Sequence, residues 1–342
     1  MIEKFSAENY GPLKKVELAL TPLHALIGPN DSGKSTILRG IQDVVDAATT
    51  GAMPFRFDSA ASLEVGLSGG IEYARSLAGT RIKPGTQETS WLDPNRNTLM
   101  IGPGLRDPAF LKEARWLSGA RLVRFEADRL RAGGGLFTRD QQLKFLTERG
   151  SGLPSVYDYL RDHVSEGYEE IRRRFCELFP TVKTLKLQAI SANEKVLSVT
   201  LFDGTEVPAT QMSEGMLYFL GYAALRHLQG ASVLLIEEPE TGLHPSRIAE
   251  IMGILREIST SGSQVIIATH SPLVVNELKP EEVTVVTRDR ERGTIATALK
   301  STPRFDERSQ IYALGELWLS YANGADEAPL LKGTARKGAL GT

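Results

Sequence analysis

The chain has 342 residues, which leaves room for one large domain or two lobes at roughly 100–200 residues each. Lysine and arginine number 40 against 42 aspartates and glutamates, a net charge of −2, so no field over the whole molecule draws it to nucleic acid or an anionic membrane. A single cysteine, Cys176, excludes an internal disulfide framework and a cysteine-built zinc site; no apolar run nears the ~18 residues of a membrane span, and the charged start MIEKFSAENYG lacks an export signal's apolar core, so a soluble cytoplasmic protein is predicted.

In chain order, the first elements read as strand, strand, loop and helix. Lys4 to Asn9 and Val16 to Leu20 flank a Gly11-Pro12 turn, His24 to Ile27 enters a glycine-bounded loop, and a helix begins near Lys34. Between about residues 50 and 150 the pattern weakens, with clusters such as Pro84-Gly85 and Gly133-Gly134-Gly135 separating short strands; Leu63 to Leu67 alternates, and Arg121 to Phe125 does so less clearly. An antiparallel or irregular subdomain is predicted there. From 153 to 179, Val156, Tyr159, Leu160, Val164, Tyr168, Ile171, Phe175 and Leu178 recur near helical spacing until Pro180, which predicts one short helical arm. Val182 to Ile190 and Val196 to Phe202 alternate about Ser191-Ala192-Asn193-Glu194 as a hairpin. Then the pattern changes: Met216 to Leu228 is apolar almost all round, Arg247 to Ile258 is amphipathic, and Val233 to Ile236 and Val265 to Ala268 are wholly apolar strands. Such strands alternating with helices mark an α/β fold with a parallel core sheet. No internal repeat is visible.

Residues 28 to 36, Gly28-Pro29-Asn30-Asp31-Ser32-Gly33-Lys34-Ser35-Thr36, match G-x-x-x-x-G-K-[ST] between an apolar strand and a helix. Gly28 and Gly33 let the backbone curl until its N–H groups face a polyphosphate at a helix N-terminus. Lys34 should reach the β- and γ-phosphates, and Ser35 should give its hydroxyl to Mg²⁺. Asp31 stands where many such loops carry glycine, and aspartate tolerates left-handed backbone. An accidental glycine turn is the competing reading.

Glu237 and Glu238 directly follow the strand Val233 to Ile236, where parallel sheets keep their binding crevice. In that place Glu237 would hold Mg²⁺ and Glu238 would orient and deprotonate an attacking water, with Pro239 biasing Glu238 towards extended backbone. An acidic loop capping the next helix is the plainer alternative. The strand Gln264 to Thr269 brings His270 to the same edge, ahead of Ser271-Pro272 in N-cap and first-turn order, so His270 can sense a γ-phosphate or serve structure alone. Met212-Ser213-Glu214-Gly215 opens the apolar helix, with Ser213 a natural N-cap: either ordinary capping or another anion site.

In order, GPNDSGKST, MSEGM, LLIEEPETGLHP and IIATHSP, with the opening NYGPLKKVELAL, resemble the ABC-type soluble ATPases related to the overcoming-lysogenisation-defect (OLD) family, and more distantly the chromosome-maintenance (SMC) and RecF-like ATPases. The resemblance covers roughly residues 1 to 50 and 180 to 300. It implies a P-loop NTPase of ABC-ATPase type: an α/β fold with a mixed sheet and parallel core, an antiparallel N-terminal β subdomain and a short helical arm. The expected division is 1–70 and 181–300 for the two parts of the ATPase head, 71–150 for an irregular or β insertion, 151–180 for the arm, and 301–342 for a C-terminal helix and loose tail. By the same resemblance Gly28 to Thr36 bind ATP, Ser35 and Glu237 hold Mg²⁺, and Glu238 and His270 are catalytic. Ser213, Glu214 and Gly215 contact the ATP of the other subunit, and Thr241, Gly242, Leu243 and His244 form a D-loop at the seam of a head-to-tail homodimer.

The match has departures. The signature is SEG rather than SGG, and the glutamine loop has no clear residue, with Gln87, Gln141 and Gln142 as candidates. The arm is too short for a chromosome-maintenance coiled coil, and the residues after Asn276 are too few for a full Toprim nuclease domain. The resemblance therefore implies an ATPase that controls a separate effector, a nuclease or Toprim-like subunit, in antiphage defence or DNA maintenance. A DNA-repair clamp of RecF type and a nucleotide-gated scaffold with negligible turnover stay open. Two arginine-rich runs, Arg115 to Arg131 and Arg172 to Arg174 with Lys183 and Lys186, are interleaved with carboxylates, so an ion-paired surface is the default and nucleic-acid contact the alternative. Trp91, Trp116 and Trp318 read as packing or partner anchors.

Overall fold

The computed structural model describes residues 1–50, 61–68, 70–76, 79–83, 90–93, 98–101, 108–135, 146–228, 230–302, 305–309 and 313–317. Gln87, Gln141, Gln142 and Trp318 lie outside them. The chain opens with β1 (Ile2–Tyr10), β2 (Leu13–Ala19), β3 (Leu23–Ile27) and α1 (Lys34–Thr50). Next come β4 (Ser62–Leu67), β5 (Ile71–Ser76), β6 (Gly79–Lys83), β7 (Ser90–Asp93), β8 (Thr98–Ile101), α2 (Pro108–Leu117) and β9 (Arg121–Val123). The middle holds α3 (Ala127–Arg131), β10 (Gly134–Gly135), α4 (Leu153–His163), α5 (Ser165–Leu178), β11 (Val182–Ser191), β12 (Glu194–Leu201) and β13 (Glu206–Pro208). It ends with α6 (Glu214–Leu225), β14 (Val233–Glu237), α7 (Pro245–Thr260), β15 (Gln264–Thr269), α8 (Pro272–Asn276), β16 (Val283–Asp289), β17 (Gly293–Ala298) and α9 (Phe305–Ser309).

Two compact units emerge: residues 1–122, 232–238 and 262–342 form one, and residues 123–231 and 239–261 the other. In the first unit, β3, β14, β15 and β16 lie parallel, and β17 closes one side antiparallel in the order β17-β16-β3-β15-β14-β9. Every residue of β3, β14 and β15 is buried, the expected result for strands covered on both faces. The antiparallel sheet β2-β1-β4-β5-β6-β7-β8 contributes the alternating strands; Phe5, Leu13, Val16, Leu63 and Val65 join Ile37, Leu38 and Ile41 of α1 in one core. The predicted antiparallel region thus extends the sheet begun by the first two strands.

A buried polar clasp joins these sheets. Gln264, at the start of β15, accepts from the Ile2 N–H (2.9 Å) and donates to the carbonyls of Ile2 (2.7 Å) and Thr21 (3.1 Å). On β3, His24 Nε2 lies 2.9 Å from Thr284 Oγ1 and Nδ1 lies 3.1 Å from Thr21 Oγ1. Because the Thr21 hydroxyl donates to the Leu23 carbonyl, it can only accept from His24, which places the imidazole proton on Nδ1 and makes Nε2 the acceptor.

In the second unit, α4 to α7 and the antiparallel β10-β12-β11 sheet, with β13 on β12, share a core. The single helix predicted for 153–179 is instead two, broken at Val164 (φ −136°, ψ 53°). Leu160, Val164 and Tyr168 stay in helical phase, so the pattern holds no trace of the break. The fold requires it: Tyr157 and Tyr168 meet at 6.3 Å between ring centres, whereas on one straight helix they would stand about 16 Å apart. The arginine run is paired here, Arg172 with Glu169, Arg173 with Glu177, Arg174 with Glu250 and Glu257, and Lys186 with Glu206, as the default reading expected.

Candidate functional site

The loop Gly28 to Lys34 leaves the buried end of β3 and turns into the 17-residue α1. Its glycines are fixed by close approach. A Cβ on Gly28 would run into the Val286 carbonyl and lie 2.7 Å from Ser32 Oγ; one on Gly33 (φ +106°) would run into the Thr294 hydroxyl. That hydroxyl donates to the Ser32 carbonyl at 2.8 Å, and Arg288 Nη1 donates to the Asp31 carbonyl at 3.3 Å, so the β16–β17 hairpin clamps the loop from outside. Asp31 takes the left-handed conformation (φ +64°) that its place in the motif requires. Lys34 is buried with its ammonium donating to the carbonyls of Gly28 (2.7 Å) and Pro29 (2.8 Å).

Glu237 ends β14 and is buried, while Glu238, one residue on, is partly exposed. The extended backbone expected before Pro239 is not found: Glu238 has φ +47°, and its N–H donates to the Ala268 carbonyl at 2.8 Å. This bond continues the parallel pairing of Glu237 with Ala268 for one more step, and tertiary pairing overrides the local proline bias. A non-glycine residue held at positive φ is a strained position, of the sort that clusters at functional sites. The turn brings Glu238 Oε1 to 3.5 Å from His270 Nδ1. Ser271 precedes Pro272 as predicted but makes no side-chain cap; Thr269 Oγ1 instead accepts the Ser271 N–H at 2.9 Å.

A cleft of about 480 Å³ gathers these groups. Asn30, Asp31, Lys34, Ser35 and Thr36 wall one side, Glu237, Glu238 and Ala268 another, and Pro12 and Arg288 the rim. Its size suits a nucleotide. The donor set fits a triphosphate with a hard cation: loop amides at a helix N-terminus, an ammonium, hydroxyls and two carboxylates. Arg288 and Pro12 are members the sequence reading missed; Arg288 sits in an ordinary-looking charge run, 257 residues from the loop carbonyl it binds.

In the second unit, Ser213 caps α6, its Oγ accepting the Met216 N–H at 3.3 Å, and a Cβ on Gly215 would stand in open space. Thr241 to His244 form a turn closed by Leu243 N–H donating to the Glu240 carbonyl, and His244 caps α7. No helix among the described residues is long and apolar enough to cross a membrane.

Glycine loop, acidic strand end and parallel sheet together have the arrangement of a P-loop NTPase fold. Comparisons place it more narrowly. Residues 144–276 match the family model "AAA domain, putative AbiEii toxin, Type IV TA system", and residues 1–50 match the AAA ATPase domain. The OLD nuclease of Thermus scotoductus is 22% identical over 349 residues, covering 88% of this chain and 64% of that protein. Protein ea59 of Escherichia phage lambda is 26% identical over 281 residues, covering 79% and 49%. The chain thus spans less than two thirds of the length of these curated relatives. Among solved structures, an SMC head bound to the C-terminal winged-helix domain of ScpA superposes with a TM-score of 0.56 at 14% identity, over 86% of this chain and 96% of that one. A Pyrococcus furiosus SMC head gives 0.52 at 13%, over 90% and 99%. The chain is thus similar to OLD nuclease over most of its own length, and it shares its fold with SMC heads.

Proposed function

We propose that this chain binds ATP with Mg²⁺, hydrolyses it, and closes head to tail on a second copy, thereby controlling an effector. The observation that carries the reading is one cleft holding Lys34, Ser35, Glu237 and Glu238, with His270 against Glu238. Lys34 turns from the loop carbonyls to the β- and γ-phosphates, whose negative charge attracts it more strongly than neutral carbonyls do. Ser35 and Glu237 would hold Mg²⁺, which would offset negative charge on the phosphates. Glu238 orients the attacking water and takes its proton, and His270 donates to the γ-phosphate oxygen. Arg288, at the rim, adds positive charge on the phosphate path.

Ser213, Glu214 and Gly215 contact a triphosphate held by the other copy through the backbone N–H groups at the N-terminus of α6, which carry partial positive charge, with Thr241 to His244 at the seam. ATP then stabilises the closed dimer, and loss of the γ-phosphate releases it. The effector proposed is a nuclease or Toprim-like activity in antiphage defence or DNA maintenance; the names of the OLD nuclease and the AbiEii-type toxin model support that direction. The ion-paired arginine run favours this reading over a clamp that grips DNA by its phosphates. The test replaces Glu238 with Gln. Turnover should fall roughly 10²- to 10⁴-fold while ATP is retained and dimers accumulate in sizing chromatography. Wild-type turnover in that variant, or a monomer at saturating ATP, would reject the proposal.

A further inference from the structure

Glu214 is the residue by which the signature departs from SGG, and its surroundings explain the departure. It opens the 12-residue α6, and Tyr218 and Tyr222 follow at i+4 and i+8, so the three form one stripe along the helix. The loop Glu240 to Gly242 lies along that stripe. A Cβ on Gly242 would stand 3.0 Å from Glu214 Oε2 and would run into the Tyr218 ring, and Gly242 has φ +69°, so the position requires glycine both for backbone and for space. Further along, Glu240 acts on the buried Tyr222, whose phenol burial and that neighbouring charge hold far above its usual range. The seat is firm from below: Tyr218 is buried, its hydroxyl 3.5 Å from the Phe125 carbonyl, and the Phe125 and Tyr222 rings lie 5.1 Å apart.

We infer that Glu214 is a positioning residue: with Tyr218 it seats the loop 240–244 on the signature helix, so that helix and loop move as one body. The inference rests on the proposed dimer reading and adds regulation to it. A triphosphate engaging the start of α6 shifts the loop as well, and the loop follows Glu238 by two residues in the chain. Occupancy of one composite site is thereby reported to the other through a loop packed against the signature helix.

The experiment measures amide hydrogen exchange over 239–244 in the full chain, without nucleotide and with ATP, alongside steady-state turnover. Glu214→Gly and Gly242→Ala should each raise nucleotide-free exchange of 239–244 by about tenfold, with exchange at 28–34 unchanged. In the same variants kcat should fall roughly tenfold at constant KM, and the Hill coefficient for ATP should drop to one. Glu214→Gln, which keeps the size of the side chain at an exposed position, should restore exchange to within about twofold of wild type. Unchanged exchange in both Glu214→Gly and Gly242→Ala overturns the seat and leaves the reading of the cleft intact. Exchange that responds in a protein whose wild type neither binds nor cleaves ATP overturns the nucleotide reading, and the coupling with it.

Discussion

Acidification should destabilise the unit that carries the glycine loop through one residue, His24, before most carboxylates begin to titrate. Its imidazole is buried, and desolvation holds its pKa down to about 4 although the nearby Glu282 opposes the shift. The folded state therefore keeps His24 neutral while the unfolded chain takes up a proton near pH 6.5, so the unfolded state binds more protons between those values and stability falls as pH falls. For a shift from 6.5 to about 4 the loss is about 2 kcal/mol between pH 7 and pH 5 and about 3 kcal/mol by pH 4, where it levels off. Protonation also places a hydrogen on Nε2, the nitrogen that accepts from Thr284, so the Thr284 hydroxyl must turn from donor to acceptor at this link between β3 and β16. The assay is chemical denaturation by circular dichroism at several pH values for wild type and His24→Asn. The variant should be less stable at pH 7, because the Thr21 and Thr284 bonds are weakened, and the gap should close by about 2 kcal/mol at pH 5. A gap that stays constant from pH 7 to pH 5 would show that His24 does not titrate as its burial requires.

Three further outcomes are expected. Lys34→Ala removes a charged donor from the phosphates, so affinity for ATP with Mg²⁺ should fall roughly 10- to 100-fold in calorimetric titration; undiminished affinity would remove the phosphate-loop assignment. Gln264→Leu orphans the buried N–H and carbonyl of Ile2 and should cost about 2–4 kcal/mol of stability, read as a lowered thermal midpoint, while a change within experimental error would mean the clasp adds nothing. Mixing Ser213→Arg with Lys34→Ala subunits should restore at most one working composite site per heterodimer. Two-site activity in that mixture would show that the sites are not shared.

Local chemistry in the sequence was enough to locate the glycine loop, the apolar strands β14 and β15, the carboxylates at the end of β14 and the histidine at the end of β15. Each is written in a few adjacent residues: a glycine spacing that only a tight anion-binding turn requires, or a run of apolar residues that only a doubly covered strand tolerates. The α6 helix was legible for the same reason, as were its Ser213 cap and the β11–β12 hairpin.

Contacts between distant segments decided the rest, and no local pattern encodes them. Arg288 and Thr294 clamp the loop across more than 250 residues of chain, and Glu238 takes a left-handed backbone because Ala268 supplies a bonding partner, against the preference set by Pro239. Val164 breaks the arm because Tyr157 and Tyr168 must meet, although the apolar spacing runs through the break undisturbed. The clasp at Gln264 and the seat of Gly242 on Glu214 and Tyr218 belong to the same class. Periodicity and motif spacing report which face of an element is apolar and which turn it can make; which distant atom fills the facing space depends on packing, and only the folded chain fixes that.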